Sequence, residues 1–299
     1  MRITTGSRLH FGLLALGGPR RFGGVGLMID SPALRLSARP ADQWHAEGPL
    51  AERALTLARR FEVQPHHLCI ETAPPEHSGF GTGTQLALAV GRLLTSLPVE
   101  EIIRRTGRGQ RSAIGTHGFV QGGLLVDGGR KDDLAPLLVR YPFPEEWRIV
   151  VALPITPAGL SGPAEIGAFA RLRGNRHHTD DLCRLTLLGM LPAVLERDLA
   201  TFAEALGEYN AKSGELFAPV QGGPYTSGPV SELIAHLRSL GLRGIGQSSW
   251  GPAVFAITDA EQAQWLCGQL RERVSAVWMT QGRNQGALLE GCAIPGSSG

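Results

Sequence analysis

Three glycines, Gly79, Gly81 and Gly83, alternate with other residues directly before an apolar segment with helical spacing. Glycine lets backbone N–H groups approach an anion closely, and the N-terminus of the following helix adds the positive end of its dipole. The stretch from Pro74 to Gln85 therefore predicts a phosphate-binding loop, with a tight strand-to-helix turn as the alternative. It matches neither the Rossmann fingerprint, which needs glycine where Thr84 stands, nor the Walker loop, since Gly-Lys-Ser/Thr does not occur in the chain.

A second segment, Arg108 to Gly123, contains two arginines, one serine, one histidine and five glycines. A guanidinium group grips a carboxylate or phosphate through two parallel hydrogen bonds, and flanking glycines let a substrate lie against the backbone. We therefore expect this segment to bind a substrate anion; the alternative is a solvated basic loop. His117 alone indicates no role, because single histidines are common as structural hydrogen-bonding groups.

Two further groups of small, hydroxyl-bearing and basic residues lie nearer the chain ends. Gly244 to Pro252 precedes a predicted strand, where it would press backbone amides against a ligand or form a turn in which Trp250 fills the core. Ser7 to Gly12 and Arg20 to Gly26 place arginine and histidine beside glycines on a predicted strand pair. No cluster with recognisable metal-ligand spacing occurs, and His177 to Asp180 is typical of the solvated entry to a helix.

The elements that must position these segments follow from hydrophobic periodicity. Strands are predicted at 2–14, 24–38, 67–72, 121–127, 148–153, 253–257 and 275–279. Helices are predicted at 49–62, 83–96, 164–172, 178–197, 199–213 and 228–240, with one more beginning near Asp259. A strand-rich first half, followed by a half with helices and strands, predicts an α+β protein with two lobes divided into domains 1–158 and 159–299.

The composition sets broad limits on the class of protein. The chain has 299 residues, of which 42% are apolar, enough for one large core or two moderate cores. With 29 basic and 27 acidic residues it lacks the positive excess typical of a nucleic-acid-binding protein. Four isolated cysteines indicate neither a zinc knuckle nor a disulfide framework, and no apolar stretch approaches the roughly 18 residues of a membrane span. We therefore expect a cytoplasmic protein with neither a nucleic-acid nor a membrane partner.

Five motifs, in order along nearly the whole chain, resemble the GHMP superfamily of small-molecule kinases. Within that superfamily the sequence looks most similar to the β-ribofuranosylaminobenzene 5′-phosphate synthase family. The motifs are Arg8–Gly12, Arg21–Gly26, Pro75–Gln85, Arg108–Gly123 with Val126–Gly129, and Gly246–Pro252. Each motif alone is weak, but the five together in this order are specific.

The resemblance implies a GHMP-type two-lobed fold, with an N-terminal lobe like ribosomal protein S5 domain 2 and a ferredoxin-like C-terminal lobe. It implies that 5-phosphoribosyl 1-diphosphate is joined to 4-aminobenzoate with release of CO2 and diphosphate, an early step toward the one-carbon carrier tetrahydromethanopterin. Mg2+ is expected with the diphosphate, although the residues that hold it are not identified. A homodimer is compatible with the family.

The same resemblance implies a set of substrate-binding residues. These are Arg8, His10, Arg21, Gly79, Gly81, Thr82, Gly83, Thr84, Gln85, Gln247, Ser248 and Ser249. Arg111, Ser112 and His117 are the expected catalytic residues. Arg111 and Ser112 are also similar to a segment of diphosphomevalonate decarboxylase, a relative that expels CO2, so Arg111 is expected to hold the aromatic carboxylate.

Two other functions stay open on the sequence alone. An ATP-dependent GHMP kinase for a small alcohol would turn over ATP and use an acidic residue as the base on the hydroxyl. A phosphosugar-binding protein without turnover would bind the donor and release no product. The sequence also leaves 4-hydroxybenzoate open as the acceptor, because the pocket for the ring substituent is not identifiable from it.

Overall fold

The computed structural model of the chain describes residues 1–156, 167–168, 172, 174 and 176–291. Its first sheet has seven strands. They are β1 (Arg2–Leu13), β2 (Gly24–Pro40), β3 (His45–Glu47), β4 (His66–Thr72), β5 (Leu124–Asp127), β6 (Leu137–Tyr141) and β11 (Leu288–Glu290). The order is β11-β1-β2-β4-β3, with β5 paired to β2 and β6 to β5. These pairs are antiparallel, except that β3 runs parallel to β4.

Four helices accompany this sheet: α1 (Ala51–Ala58), α2 (Thr82–Leu94), α3 (Val99–Thr106) and α4 (Ile114–Gln121). Helix α2 contacts the other three helices and strands β1 and β2, so its apolar run from Leu86 to Val90 is fully buried. A helix that is apolar on all sides is stable only inside a core. This packing fixes the position of the N-terminus of α2, directly after the alternating glycines.

The second sheet has four antiparallel strands in the order β10-β7-β9-β8. The strands are β7 (Arg148–Leu153), β8 (Ile245–Gln247), β9 (Val254–Thr258) and β10 (Ala276–Thr280). The helices of this half are α5 (Arg176–Arg184), α6 (Leu191–Glu196), α7 (Leu199–Glu215), α8 (Ala218–Gln221), α9 (Pro229–Ser239) and α10 (Ala260–Leu270), with a π-helical segment at Leu185–Met190 between α5 and α6. Asp198 and Asp259 cap α7 and α10, because their carboxylates accept from backbone N–H groups of the first turn.

The α+β prediction and most of the longer predicted elements are confirmed. The glycine-rich segment 107–129 differs from expectation, because Ile114–Gln121 forms helix α4 and the next strand begins only at Leu124. Gly115 and Gly118 made this helix unpredictable, since glycine lowers helix propensity. At Gly118 a side chain would collide with Met28 of β2. Helix α4 therefore depends on glycine for its close packing against the sheet.

Several short elements are also absent from the sequence prediction: β3, β6, β8, β11, α3 and α8. Strand β2 continues without interruption through Ser31 and Pro32, as the strand predicted at 24–38 requires. Strand β7 belongs to the second sheet, and β11 returns to the first. The predicted helix 164–172 falls largely outside the described residues, as do the predicted domain boundary at 158/159 and Cys292. Within the described part of the chain, no helix combines the length and apolar character of a membrane span.

Candidate active site

Two cavities meet between β1, the N-terminus of α2 and the loop that follows β8. The outer cavity, of about 560 Å³, is lined mainly by Glu76, His77 and Gly79–Thr84, together with Arg53. The inner cavity, of about 200 Å³, is lined by residues of β1, the loop 107–112, the end of α7 and the loop after β8. The residues that line both cavities are Arg8, Thr84, Arg108, Arg111, Ser249 and Trp250. The cavities are therefore neighbouring parts of one site.

The glycine loop, Gly79–Gly83, has a backbone conformation that favours glycine. Gly79 has φ +91° and Gly81 has φ +70°, a region that other residues adopt at a cost. A side chain at Gly79 would also collide with the backbone oxygen of Ser248. Gly81 is the N-cap of α2 and supplies no capping side chain. The first N–H groups of α2 therefore lie at the wall of the outer cavity without competition from a cap, as phosphate binding needs.

Arginines surround this loop in the outer cavity: Arg8, Arg53, Arg108 and Arg111. A Cβ atom on Gly83 would lie 2.6 Å from Nη2 of Arg53 and 3.1 Å from Nη1 of Arg108. A Cβ atom on Gly81 would lie 3.1 Å from Nε of Arg8. Three guanidinium groups thus approach the loop closely because the loop carries no side chains at these positions. This density of planar cations suits a polyanion such as a diphosphate.

Arg53 and Glu76 form an ion pair at the outer cavity. Arg53 stands on α1, whose pattern is that of an ordinary amphipathic helix, so no signal in the sequence identified it as a site residue. Burial lowers the pKa of its guanidinium. Among the described residues, Glu76 is the one carboxylate that lines either cavity. It balances part of the positive charge and is the available protein ligand for a metal ion beside the glycine loop.

Asp127 anchors the segment that carries Arg111 and Ser112. Its Oδ2 accepts hydrogen bonds from Oγ of Ser112, at 2.7 Å, and from the backbone N–H of Ala113, at 2.9 Å. Its Oδ1 accepts from the N–H of Gly129 at 3.0 Å. Burial raises the pKa of this carboxyl group, and the three hydrogen bonds oppose that rise. Sequence reasoning included Asp127 in a motif but gave it no role, because its partners become visible only in the fold.

The inner cavity combines aromatic walls with polar groups. Phe217 and Trp250 contact each other edge to face, with ring centroids 4.9 Å apart, and both line the cavity. Trp250 also belongs to the main hydrophobic core, so it fills the core and lines the site at once. Asn210 of α7 donates from Nδ2 to backbone oxygens of Phe11 and Gln247, which ties β1 to β8 beneath the cavity. Aromatic walls with a few polar groups are typical of pockets that bind flat, partly polar molecules.

His10 is a buried histidine at the wall of the inner cavity, with 6% of its surface exposed. Its Nε2 atom has no hydrogen-bond partner among the described residues. Burial lowers the pKa of the ring well below the ordinary histidine value, and the nearby cations of Arg8 and Arg111 lower it further. His10 is therefore neutral near pH 7, and its free nitrogen is available to a substrate group.

The neutrality of His10 predicts how stability depends on pH. A histidine whose pKa is depressed in the folded state takes up a proton on unfolding, so stability falls as the pH drops below the unfolded value of about 6.5. Between about pH 6 and 5, the parent's free energy of unfolding should fall with pH more steeply than that of His10→Gln. The difference in slope is expected to be up to about 1.4 kcal/mol for each pH unit. Denaturant unfolding of both proteins at several pH values measures the difference. An identical pH dependence would contradict a neutral, buried His10.

Two predicted substrate-binding residues, Gln85 and Ser248, lie outside the walls of both cavities. Gln85 is fully buried, accepts from Oγ1 of Thr5 at 2.7 Å and donates to the backbone oxygen of Gly115 at 2.8 Å. Ser248 accepts from the N–H of His10 at 3.0 Å and donates to the backbone oxygen of Gly79 at 2.7 Å. Gln85 thus connects α2 to α4 and β1, and Ser248 connects the glycine loop to β1.

His117 and Arg21 are also placed outside both cavities. Nε2 of His117 lies 2.8 Å from the backbone oxygen of Ala135. Arg21 is exposed and packs over the ring of Phe22, while its backbone pairs with that of Arg130. The other predicted residues line the site: Arg8, His10, Gly79, Gly81, Thr82, Gly83, Thr84, Arg111, Ser112, Gln247 and Ser249.

Comparisons with known proteins agree with this architecture. A family model described as GHMP kinases C terminal matches residues 190–276. A protein of Methanothermobacter thermautotrophicus is 32% identical, with 96% of this chain and 98% of the relative covered. A protein of Archaeoglobus fulgidus is 32% identical, with 97% and 99% covered. Both are named beta-ribofuranosylphenol 5′-phosphate synthase.

Solved structures share the fold at low sequence identity. Homoserine kinase from Cytophaga hutchinsonii superposes with a TM-score of 0.63 at 14% identity, covering 96% of each chain. Mevalonate-3-kinase from Thermoplasma acidophilum superposes with a TM-score of 0.62 at 13% identity, again covering 96% of each chain. These likenesses confirm the predicted GHMP-type α+β fold. Given the near-complete match to its sequence relatives, the chain is an enzyme that belongs to the beta-ribofuranosylphenol 5′-phosphate synthase family.

Proposed function

We propose that the enzyme joins 5-phosphoribosyl 1-diphosphate to a benzoate with an electron-donating para substituent, releasing diphosphate and CO2. The observation that carries this proposal is the junction of an arginine-rich anion cavity with an aromatic-walled cavity, with Arg111 lining both. A sugar diphosphate suits the outer cavity, and an aromatic acid suits the inner one. The name of the sequence relatives, which describes a ribofuranosyl 5′-phosphate attached to a phenol, supports the same pair of substrates.

The proposed reaction balances without an external oxidant or reductant. The bond between ribose C1 and the diphosphate oxygen breaks, and diphosphate leaves with the electron pair. The ring carbon that bears the carboxylate attacks C1 of the sugar, helped by the para substituent. The bond from this carbon to the carboxylate then breaks, CO2 leaves, and the electron pair returns to the ring. The product is a carbon–carbon riboside.

The residues of the site suit the charges that develop in this reaction. The N-terminus of α2, with Arg8, Arg53 and Arg108, would stabilise the leaving diphosphate. Arg111 would hold the aromatic carboxylate through a bidentate contact and orient the attacking carbon toward the sugar. Asp127 would act as a positioning residue, since it fixes Ser112 and the start of α4.

The proposal includes Mg2+ at the diphosphate. Magnesium is commonly held by one or two carboxylates together with phosphate oxygens. Glu76 fits this requirement as the carboxylate on the wall of the outer cavity, where Mg2+ would compete with the Arg53 guanidinium that now pairs with it. Bound Mg2+ would neutralise charge on the diphosphate. Glu76 would hold the ion beside the glycine loop.

Replacing Glu76 tests this role. We expect Glu76→Gln to raise the Mg2+ concentration needed for half-maximal activity at saturating donor by about tenfold or more. Glu52→Gln, an exposed change on the same helix as Arg53, is the matched control and should leave the Mg2+ dependence unchanged. An unchanged Mg2+ requirement in Glu76→Gln would remove Glu76 from the proposed metal site.

The proposed function is tested by an assay that measures both diphosphate and CO2. We expect equal amounts of diphosphate and CO2 from the ribosyl donor, a para-substituted benzoate and Mg2+, without ATP. Running 4-hydroxybenzoate and 4-aminobenzoate in parallel identifies the acceptor: the relatives' name favours the hydroxyl compound, and the sequence resemblance favours the amino compound. Turnover of ATP with a small alcohol, and none with the ribosyl donor, would instead identify a kinase. Donor-dependent stabilisation without product would identify a binding protein.

We also propose that the product enters tetrahydromethanopterin synthesis in the cytoplasm. The sequence resemblance supports this placement, and the free thiols of Cys69, Cys183 and Cys267 agree with a reducing compartment. The homodimer stays a prediction, and light scattering of the purified enzyme would measure its mass.

A further inference from the structure

A second group of chemically active side chains lies on the edge of the first sheet, away from both cavities. His45 and Glu47 stand on the edge strand β3, and His67 and Cys69 stand on β4. In the parallel register, His45 is opposite His67 and Glu47 is opposite Cys69. Because alternate residues of a strand share a face, all four lie on one face of the sheet.

Residues on the opposite face of these two strands pack against the core and fix the position of both strands. Ala46 and Leu68, the residues between the four, pack against the hydrophobic core that includes α1 and α2. The four side chains are thus presented by a fixed pair of strands. They come from chain positions about twenty residues apart, so strand pairing brings together side chains that no sequence spacing groups.

The side chains are already close to one another. One ligand atom from each of His45, Glu47 and His67 lies within 4.8 Å of the others, and Nε2 of His67 is 3.3 Å from Oε1 of Glu47. Cys69 is opposite Glu47 in the strand register, so its thiol lies beside that carboxylate on the same face of the sheet. Ligand atoms around a tetrahedral zinc ion are roughly 3.3–3.8 Å apart, as follows from zinc–ligand distances of about 2.0–2.3 Å. Small rotations of these partly exposed side chains would close the remaining gap.

We propose that His45, Glu47 and His67, with Cys69 as the fourth ligand, bind a zinc-type divalent cation. Two imidazoles, a thiolate and a carboxylate form a ligand set that suits zinc, whereas magnesium and calcium prefer oxygen ligands alone. The ion would fasten the three-residue strand β3 to β4. This site is independent of the proposed function, because none of its residues lines the outer or inner cavity.

Arg39 opposes metal binding, because its guanidinium occupies one ring nitrogen of His67. It stands on β2 opposite His67 and donates from Nη2 and Nε to Nδ1 of His67, at 2.8 and 3.1 Å. Coordination through Nε2 requires the ring proton on Nδ1, so Arg39 must turn away when the ion binds. That contact is exposed, and breaking it costs little.

Metal titration of the purified, metal-free protein tests the proposal without substrates. We expect one Co2+ per chain with the visible absorption of a tetrahedral site, displaced by Zn2+ at equal concentration. His45→Ala and His67→Ala should each weaken binding by at least about tenfold, since even loss of an outer partner costs that much. Cys69→Ser should remove the near-ultraviolet thiolate-to-cobalt band.

Two further variants separate coordination from general surface effects. Arg39→Met should tighten Zn2+ binding several-fold, because it removes a cation and frees Nδ1 of His67. His66→Ala, on the same strand but bonded to the backbone oxygen of Gln64, should leave binding unchanged. The proposal is overturned if micromolar protein forms no 1:1 zinc complex, or if His45→Ala and His67→Ala bind as the parent does. Circular dichroism of each variant confirms that the comparison is between folded proteins.

Discussion

Arg111→Lys is expected to lower kcat/KM for the aromatic acid. The corresponding activation free energy should rise by about 2–5 kcal/mol if the guanidinium–carboxylate pair is desolvated in the complex. Lysine keeps the positive charge but loses the planar fork that makes two parallel hydrogen bonds. Arg111 is half-buried at the junction of the two cavities, where one misaligned contact would turn the reacting ring carbon away from the sugar. Because CO2 must leave, the contact must favour the decarboxylating state over the bound acid.

Steady-state kinetics with each substrate varied in turn distinguish the two sides of the junction. A selective rise in the KM of the aromatic acid, or a fall in kcat with donor affinity retained, supports the carboxylate role. A defect confined to donor binding would assign Arg111 to the diphosphate instead. Arg104→Lys on α3, an exposed change a few residues earlier, is the control and should have an effect near zero.

Gly81→Val is expected to abolish measurable donor binding while the fold is retained. Gly81 has φ +70°, and its added Cβ would lie 3.1 Å from Nε of Arg8, so valine strains the backbone and displaces a cation from the anion cavity. Each charged hydrogen bond lost to the diphosphate costs about 1.5–3 kcal/mol, or at least about tenfold in affinity. Calorimetric titration of the folded variant with 5-phosphoribosyl 1-diphosphate measures the loss.

A second glycine with a positive φ serves as the control that distinguishes backbone strain from loss of donor binding. Gly241 also has a positive φ, +84°, but a Cβ there meets no atom within 4 Å and the residue lines neither cavity. Gly241→Val should therefore lower stability to a similar extent and leave donor affinity unchanged. Unchanged affinity in Gly81→Val would mean that the glycine loop is only a turn. Gly83→Ala, without a positive φ, should weaken binding by displacing the ends of Arg53 and Arg108.

The glycine loop illustrates what short-range sequence can predict. Its glycines, the strand before it and the helix after it are contiguous, so their spacing alone indicates an anion site at a helix N-terminus. The inner cavity is a contrasting case. It is assembled from β1, the loop 107–112, α7 and the loop after β8, and no local pattern records that these four meet.

Individual residues show the same division. Gln85 and Ser248 belong to motifs that resemble a substrate site, yet the fold uses both as buried hydrogen-bonding groups. Arg53 belongs to no motif, yet the packing of α1 beside α2 brings its guanidinium to the glycine loop. A polar side chain has the same local sequence pattern whether it faces a cavity or a buried backbone oxygen.

The sequence by itself determined the fold class and the family resemblance, and it predicts the anion-binding loop, because all three reside in composition, periodicity and the order of contiguous motifs. The tertiary structure alone decided which cations surround the loop, that Asp127 anchors Ser112, and that His45, Glu47 and His67 lie together at the sheet edge. The physical reason is the distance along the chain over which each kind of contact acts. Periodicity reports on neighbours within a helical turn or along a strand, whereas these contacts join residues that only strand pairing and core packing bring together.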